Sequence, residues 1–146
     1  MEEIRHRVGI EAPRSEVLAK LSTIEGLASW WTGDIVGDPA AGGQVQFFFG
    51  SAERSALMDV VEATDRRVAW RCAGGPDEWV GGMCTFDLER TGDETVLKFS
   101  QSWREPVDFM FHCSTKWGYY LLGLKASLEG GKGTPFPGDL RISSWG

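Results

Sequence analysis

Val96-Leu97-Lys98-Phe99-Ser100-Gln101-Ser102-Trp103 places Leu97, Phe99, Gln101 and Trp103 on one face of a strand and Lys98, Ser100 and Ser102 on the other. That is the period-2 alternation of a half-buried strand. A few residues later Trp117, Leu121, Leu124 and Leu128 recur at the spacing of one helix face. A sheet face and a long helix, both aromatic, therefore meet in one small domain. Their facing surfaces either fill each other or leave a pocket, and which of these holds decides what the protein can do.

Working outward, the helix is expected over about Val107 to Glu129, after Pro106 and before Gly130-Gly131, with glycine favoured just past a helix end. Upstream of the quoted strand, short turns separate further strands. Thr91-Gly92-Asp93 precedes it, and Cys84, Phe86 and Leu88 share one face of the strand before. Gly74-Gly75-Pro76-Asp77 is another turn, and Val68, Trp70 and Cys72 share a face before that. Ser55 to Ala63 alternates poorly and its faces are not assigned, while Gln44 to Phe49 reads as a strand. Asp38 to Gly43 is a turn and not a phosphate loop, because it lacks the Walker spacing. Ile4 to Glu11 reads as a first strand. Ala12-Pro13 opens a short helix carrying Val17, Leu18 and Leu21, since proline suits the first helical position. Thr23 caps a second helix with Ile24, Leu27 and Trp30 or Trp31 inward. The expected order is strand, two short helices, five strands and one long helix. The class is α+β, with a curved antiparallel sheet gripping the C-terminal helix.

The chain has 146 residues, enough for one domain with a sizeable core. Residues 1–131 are expected to form that domain, and 132–146 a C-terminal loop-like tail. Net charge is −6 with pI near 4.9, and no basic block interrupts the acidity, so nucleic-acid binding is not expected. No run approaches the length of a membrane span, and Met1 to Val8 lacks the apolar core of a secretory signal. Cys72, Cys84 and Cys113 are odd in number and form no C-x-x-C, which reads as free buried thiols in a reducing cytoplasm. Neither metal nor cofactor spacing is present.

In this order and spacing, several strings resemble the START-like (helix-grip, SRPBCC) superfamily, and within it the bacterial proteins related to the activator of Hsp90 ATPase. They are I-E-A-P-R-S-E-V-L-A-K-L, the pair Trp30-Trp31, V-V-E-A-T-D-R-R-V-A-W, C-T-F-D-L-E-R-T-G-D-E-T-V-L-K-F-S-Q and W-G-Y-Y-L-L-G-L-K-A-S-L-E-G-G. Together they span roughly residues 3 to 131. The resemblance implies the helix-grip fold and a binding place for apolar small molecules between sheet and helix, with cyclases and hydratases among the fold's members. Fold does not fix chemistry. Two departures stand out: Gln101 occupies a position where relatives often carry His, and Lys116 one where a Gly often precedes the helix tryptophan. Histidine chemistry at position 101 is thus unavailable.

His112 is the single catalytic candidate, though a lone His among aromatics is more often a packing residue. His6 lies among charges and reads as solvated. Cys113 beside His112 reads as an inert buried thiol, because neighbours on a helix point about 100° apart. Gln101 is either satisfied by neighbours or a polar handle for a ligand; Arg71 and Glu62 follow it as lesser polar candidates.

The favoured expectation is a binding protein for a small apolar or amphipathic molecule, lined by Trp70, Phe86, Phe99, Gln101 and Trp103 from the sheet and Trp117, Tyr120 and Leu121 from the helix, with Trp31 closing one end. The alternatives are a cyclase- or hydratase-like enzyme, which an all-apolar lining with one amide would exclude, and an interaction module, implied by the resemblance alone. A homodimer through edge strands or residues such as Phe48 is a further expectation.

Overall fold

The computed structural model describes residues 2–146. Strand β1 (Glu2–Ile10) is followed by helices α1 (Arg14–Ser22) and α2 (Ile24–Ala28). Six strands come next: β2 (Asp34–Gly37), β3 (Gln44–Ser51), β4 (Arg54–Ala63), β5 (Arg67–Gly74), β6 (Met83–Thr91) and β7 (Glu94–Trp103). Helix α3 (Asp108–Leu128) closes the order. The strands form one antiparallel sheet in the order β1-β7-β6-β5-β4-β3-β2. The first strand thus lies beside the last, running from Glu2 opposite Trp103 to Ile10 opposite Thr95. The fold is the expected helix-grip, a sheet curved around α3.

Thr23 caps α2 as expected, while Pro13 stands one position earlier than expected, as the extended residue before α1. The Pro13 carbonyl accepts from Glu16 N and Val17 N at the start of α1. Thr23 Oγ1 accepts from Gly26 N at 2.9 Å and so satisfies a free donor of α2. Trp30 and Trp31 follow that helix and are both buried. Trp30 Nε1 donates to Lys20 O at 2.8 Å, which ties the two short helices together.

Two local readings change. A sixth strand, β2, precedes the five expected ones. It is four residues long, with Ile35 only half-buried and Val36 exposed, so it shows no alternation that a sequence pattern could catch. The faces of β4 resolve as Ala56, Met58 and Val60 inward. Leu57 and Val61 are apolar residues on the outer face, which hid that alternation, and register shifts flank the stretch between Met58 and Val60.

The centre between sheet and helix is filled with rings. Trp117 of α3 lies 4.4 Å from Phe99 and 4.9 Å from Trp31, centroid to centroid. Phe86 stands 4.9 Å from Trp70 and 5.1 Å from Phe99. Each such pair adds about 0.5–1.5 kcal/mol beyond burial of its area.

Residues 132–146 contain no helix or strand but lie against the fold. Gly133 passes so close to α2 that a Cβ there would stand 2.2 Å from Ser29 O, and Gly123 of α3 leaves room for it on the other side. Phe136 then pairs by backbone, donating to Trp31 O at 2.9 Å and accepting from Gly33 N at 3.1 Å.

At the entry to α1, the Ala12 carbonyl accepts from Thr95 Oγ1 at 2.6 Å and from Arg90 Nη1 at 2.8 Å. Thr95→Val keeps the shape and removes one donor while Arg90 still covers the carbonyl. The expected cost is about 1 kcal/mol, read as a lower urea midpoint at unchanged m-value.

Candidate functional site

Phe109, His112, Cys113, Lys116, Trp117 and Tyr120 recur at three- and four-residue spacing along α3 and therefore share one flank of it. That flank faces an open cavity of about 570 Å³. Its other walls come from Trp31, from Phe49 on β3, from Glu53 to Ala56 at the β3–β4 turn, and from Gly75, Pro76 and Trp79 between β5 and β6. Phe136, Pro137, Asp139, Arg141, Trp145 and Gly146 of the C-terminal segment complete it. The facing surfaces thus do both things: rings fill the middle of the grip, and one end stays open.

The polar groups of the wall are largely engaged with one another. Lys116 Nζ lies 2.6 Å from Asp139 Oδ2, and the Tyr120 hydroxyl donates to the same oxygen. Burial, and then that bond to Asp139, push the Tyr120 hydroxyl pKa well above its ordinary value. Lys116 Nζ also donates to Leu140 O at 2.7 Å. His112 Nδ1 meets Ser143 Oγ at 2.6 Å, and its ring stacks on Phe109 at 5.8 Å with Trp145 edge-on. No carboxylate hydrogen-bonds it among the described residues. Burial first, then the charge of Lys116, lower the His112 pKa from its ordinary 6.5, so the ring is neutral at pH 7. Burial raises the Cys113 thiol to about 12, and the other two cysteines are raised by burial as well. All three are free, and the thiolate needed for nucleophilic chemistry is disfavoured. Trp79 Nε1 is the one buried side-chain polar atom without a partner among the described residues. Trp79 works against the burial-driven rise of the Cys113 thiol.

Of the residues expected to meet a ligand, Trp31, Trp117 and Tyr120 line the cavity, and so does His112. Trp70, Phe86, Phe99, Gln101, Trp103 and Leu121 lie behind it, buried in the packed interior. Gln101 is held by neighbours: its Oε1 accepts from Trp103 Nε1 and from Trp117 Nε1, each at 2.9 Å. Arg71 and Glu62 do not reach the cavity wall. His6 is not solvated among charges but faces inward with Ile4 and Val8, half-buried, its Nε2 3.1 Å from Ser114 O of α3. The strand's period put it there, and charged neighbours on the opposite face obscured it. Phe48 pairs opposite Asp34 of β2 and is therefore not on an edge.

Among the residues that sequence reading missed are Phe49, Phe109, Trp79 and the C-terminal set Phe136, Asp139 and Trp145. No periodicity marks a loop. The available signal was Lys116, a cation on an otherwise aromatic helix flank, which requires a counter-charge. The lining is not the all-apolar wall that would exclude catalysis, since it carries His112, Lys116, Tyr120 and Asp139. No group of three or more His, Cys, Asp or Glu is placed to hold a metal among the described residues. Among the described residues no helix is long and apolar enough to cross a membrane.

Solved structures resemble this one over most of its length. The solution structure of the Aha1 dimer from Colwellia psychrerythraea is 39% identical, covers 91% of this chain and 100% of its own, and superposes with a TM-score of 0.83. CalU16 from Micromonospora echinospora is 18% identical over 97% of this chain and 75% of its own, TM-score 0.76. Protein SSP2350 from Staphylococcus saprophyticus is 16% identical over 92% and 97%, TM-score 0.75. The last two speak for the fold alone. No family model and no curated protein matches the chain.

Gln101→Leu leaves two indole N–H groups buried and unpaired. Each costs about 1–3 kcal/mol, so a large fall in guanidinium midpoint is expected; a shift within error would show that the clamp is dispensable. For His112 the folded pKa lies below the unfolded one, so the unfolded chain takes up its proton first as pH falls. Its contribution to stability is present above 6.5 and lost as pH drops through the depressed folded value. His112→Gln should flatten the dependence of Tm on pH in that window.

Proposed function

Because this chain belongs to the START-like, helix-grip superfamily, among the bacterial proteins related to the activator of Hsp90 ATPase, we propose that its cavity binds a small apolar or amphipathic molecule. The observation that carries this is the cavity's composition: about 570 Å³, with the rings of Trp31, Phe49, Trp79, Phe109, Trp117, Phe136 and Trp145 in its walls. Cavities of this volume and lining suit small organic ligands.

Binding is favoured over catalysis because the largely buried ionisable groups of the wall are held by partners, while Glu53, Arg54 and Arg141 of the lining are exposed. Lys116, Asp139 and Tyr120 form one set and His112 with Ser143 another. A general base needs a free lone pair directed at substrate. Aromatic walls supply affinity instead, by removing apolar ligand surface from water at about 25 cal/mol per Å² before association costs. The Colwellia relative is a dimer in solution. We extend that assembly to this chain, whose α3 turns Phe111 and Leu122 outward at 68% and 59% exposure.

The test is titration with 2-ethylnaphthalene, followed by calorimetry. Saturable one-to-one binding is expected. Trp145→Ala should weaken it by about tenfold with little loss of stability, because that side chain is already half exposed. No saturable binding to the unaltered protein would sink the reading.

A further inference from the structure

Lys116 and Tyr120 stand one turn apart on α3 and converge on a single carboxylate oxygen, Asp139 Oδ2. The pair is well removed from water, with the Lys116 side chain 12% exposed and that of Asp139 8%. A cation and a hydroxyl aimed at one oxygen, inside an aromatic cavity, is the donor set that recognises a carboxylic acid. Here the carboxylate that occupies it belongs to the chain itself.

The segment that carries Asp139 is lightly held. Phe136 is fixed by two backbone hydrogen bonds to the Trp31–Gly33 stretch. From Asp139 onward, every hydrogen bond to the rest of the fold runs through a side chain: those of Lys116, Tyr119 and Tyr120, and that between Ser143 and His112. Breaking the Lys116–Asp139 pair with nothing in exchange strands a buried cation, which is costly. An incoming carboxylate removes that penalty, and a neutral molecule does not.

Building on the cavity as the binding site, we propose that Lys116 and Tyr120 form an acceptor site for the carboxylate of an amphipathic acid, and that Asp139 is an internal stand-in which the ligand displaces. The apolar body of the acid lies against Trp31, Trp117 and Phe136. Displacement frees the chain beyond Asp139 while the backbone pairing of Phe136 keeps it tethered. Selectivity for acids over neutral molecules of the same shape then comes from the exchange of one carboxylate for another.

The probes are 2-naphthoate and 2-ethylnaphthalene, nearly equal in shape and different in charge. Asp139→Ala removes the competitor and should raise affinity for naphthoate relative to ethylnaphthalene by about tenfold. Lys116→Met should abolish any preference for naphthoate. In the unaltered protein, naphthoate should speed tryptic cleavage after Arg141, and ethylnaphthalene should not; this readout stands even if a variant fails to fold. Equal changes for both probes in the variants, or protection of Arg141 by naphthoate, would make Asp139 a structural pin and overturn the proposal. If neither probe bound the unaltered protein or Asp139→Ala, the binding reading itself would fall.

Discussion

Gln101 places one carbonyl oxygen between the indole nitrogens of Trp103 and Trp117, and the arrangement of the aromatic interior follows from that contact. An indole N–H buried without a partner is costly, so Trp117 cannot turn away from β7 without losing its acceptor. Held there, its ring meets Phe99 on one side and Trp31 on the other. Trp31 in turn stacks on Trp70 at 5.7 Å. Helix, sheet and the stretch after α2 are thus locked through a chain of rings whose orientation a single amide determines. A position that resembled a ligand handle is the fastening of the grip.

The placement of the cavity is a consequence. Large rings occupy the middle of the sheet, and Cys113 is the small residue on the α3 flank one turn before Trp117. Space therefore remains toward the start of α3, where β3, the β5–β6 connection and the C-terminal segment enclose it. Lys116 and Asp139 lie largely out of water near this opening. Their contact at 2.6 Å offsets the loss of hydration that each would suffer without its partner.

The alternation of β7 and the helical stripe from Trp117 were readable because each repeats over several residues and one face is buried. They settled the class of fold and the grip between strand and helix. Facing was less informative than it looked. Gln101 lies inward as its period required, yet inward meant the packed interior, because periodicity reports burial and not what stands opposite. β2 escaped notice since four residues with one half-buried side chain carry no pattern. Asp139 escaped notice for a different reason. Its partner lies 23 positions away on another element, and only the tertiary path, through the narrow passage at Gly133, brings them together.

Gly146 stands at the rim of the cavity. Any polypeptide continuing past it, whether a natural extension or an affinity tag, starts from the cavity wall. A purification handle fused there would begin beside Trp145 and the other rings of that wall, and could change what the cavity accepts. A handle before β1 emerges from a strand whose first residues, Glu2 and Glu3, are exposed and pair opposite Trp103 and Ser102. Neither residue belongs to the cavity wall, so that end leaves the opening clear.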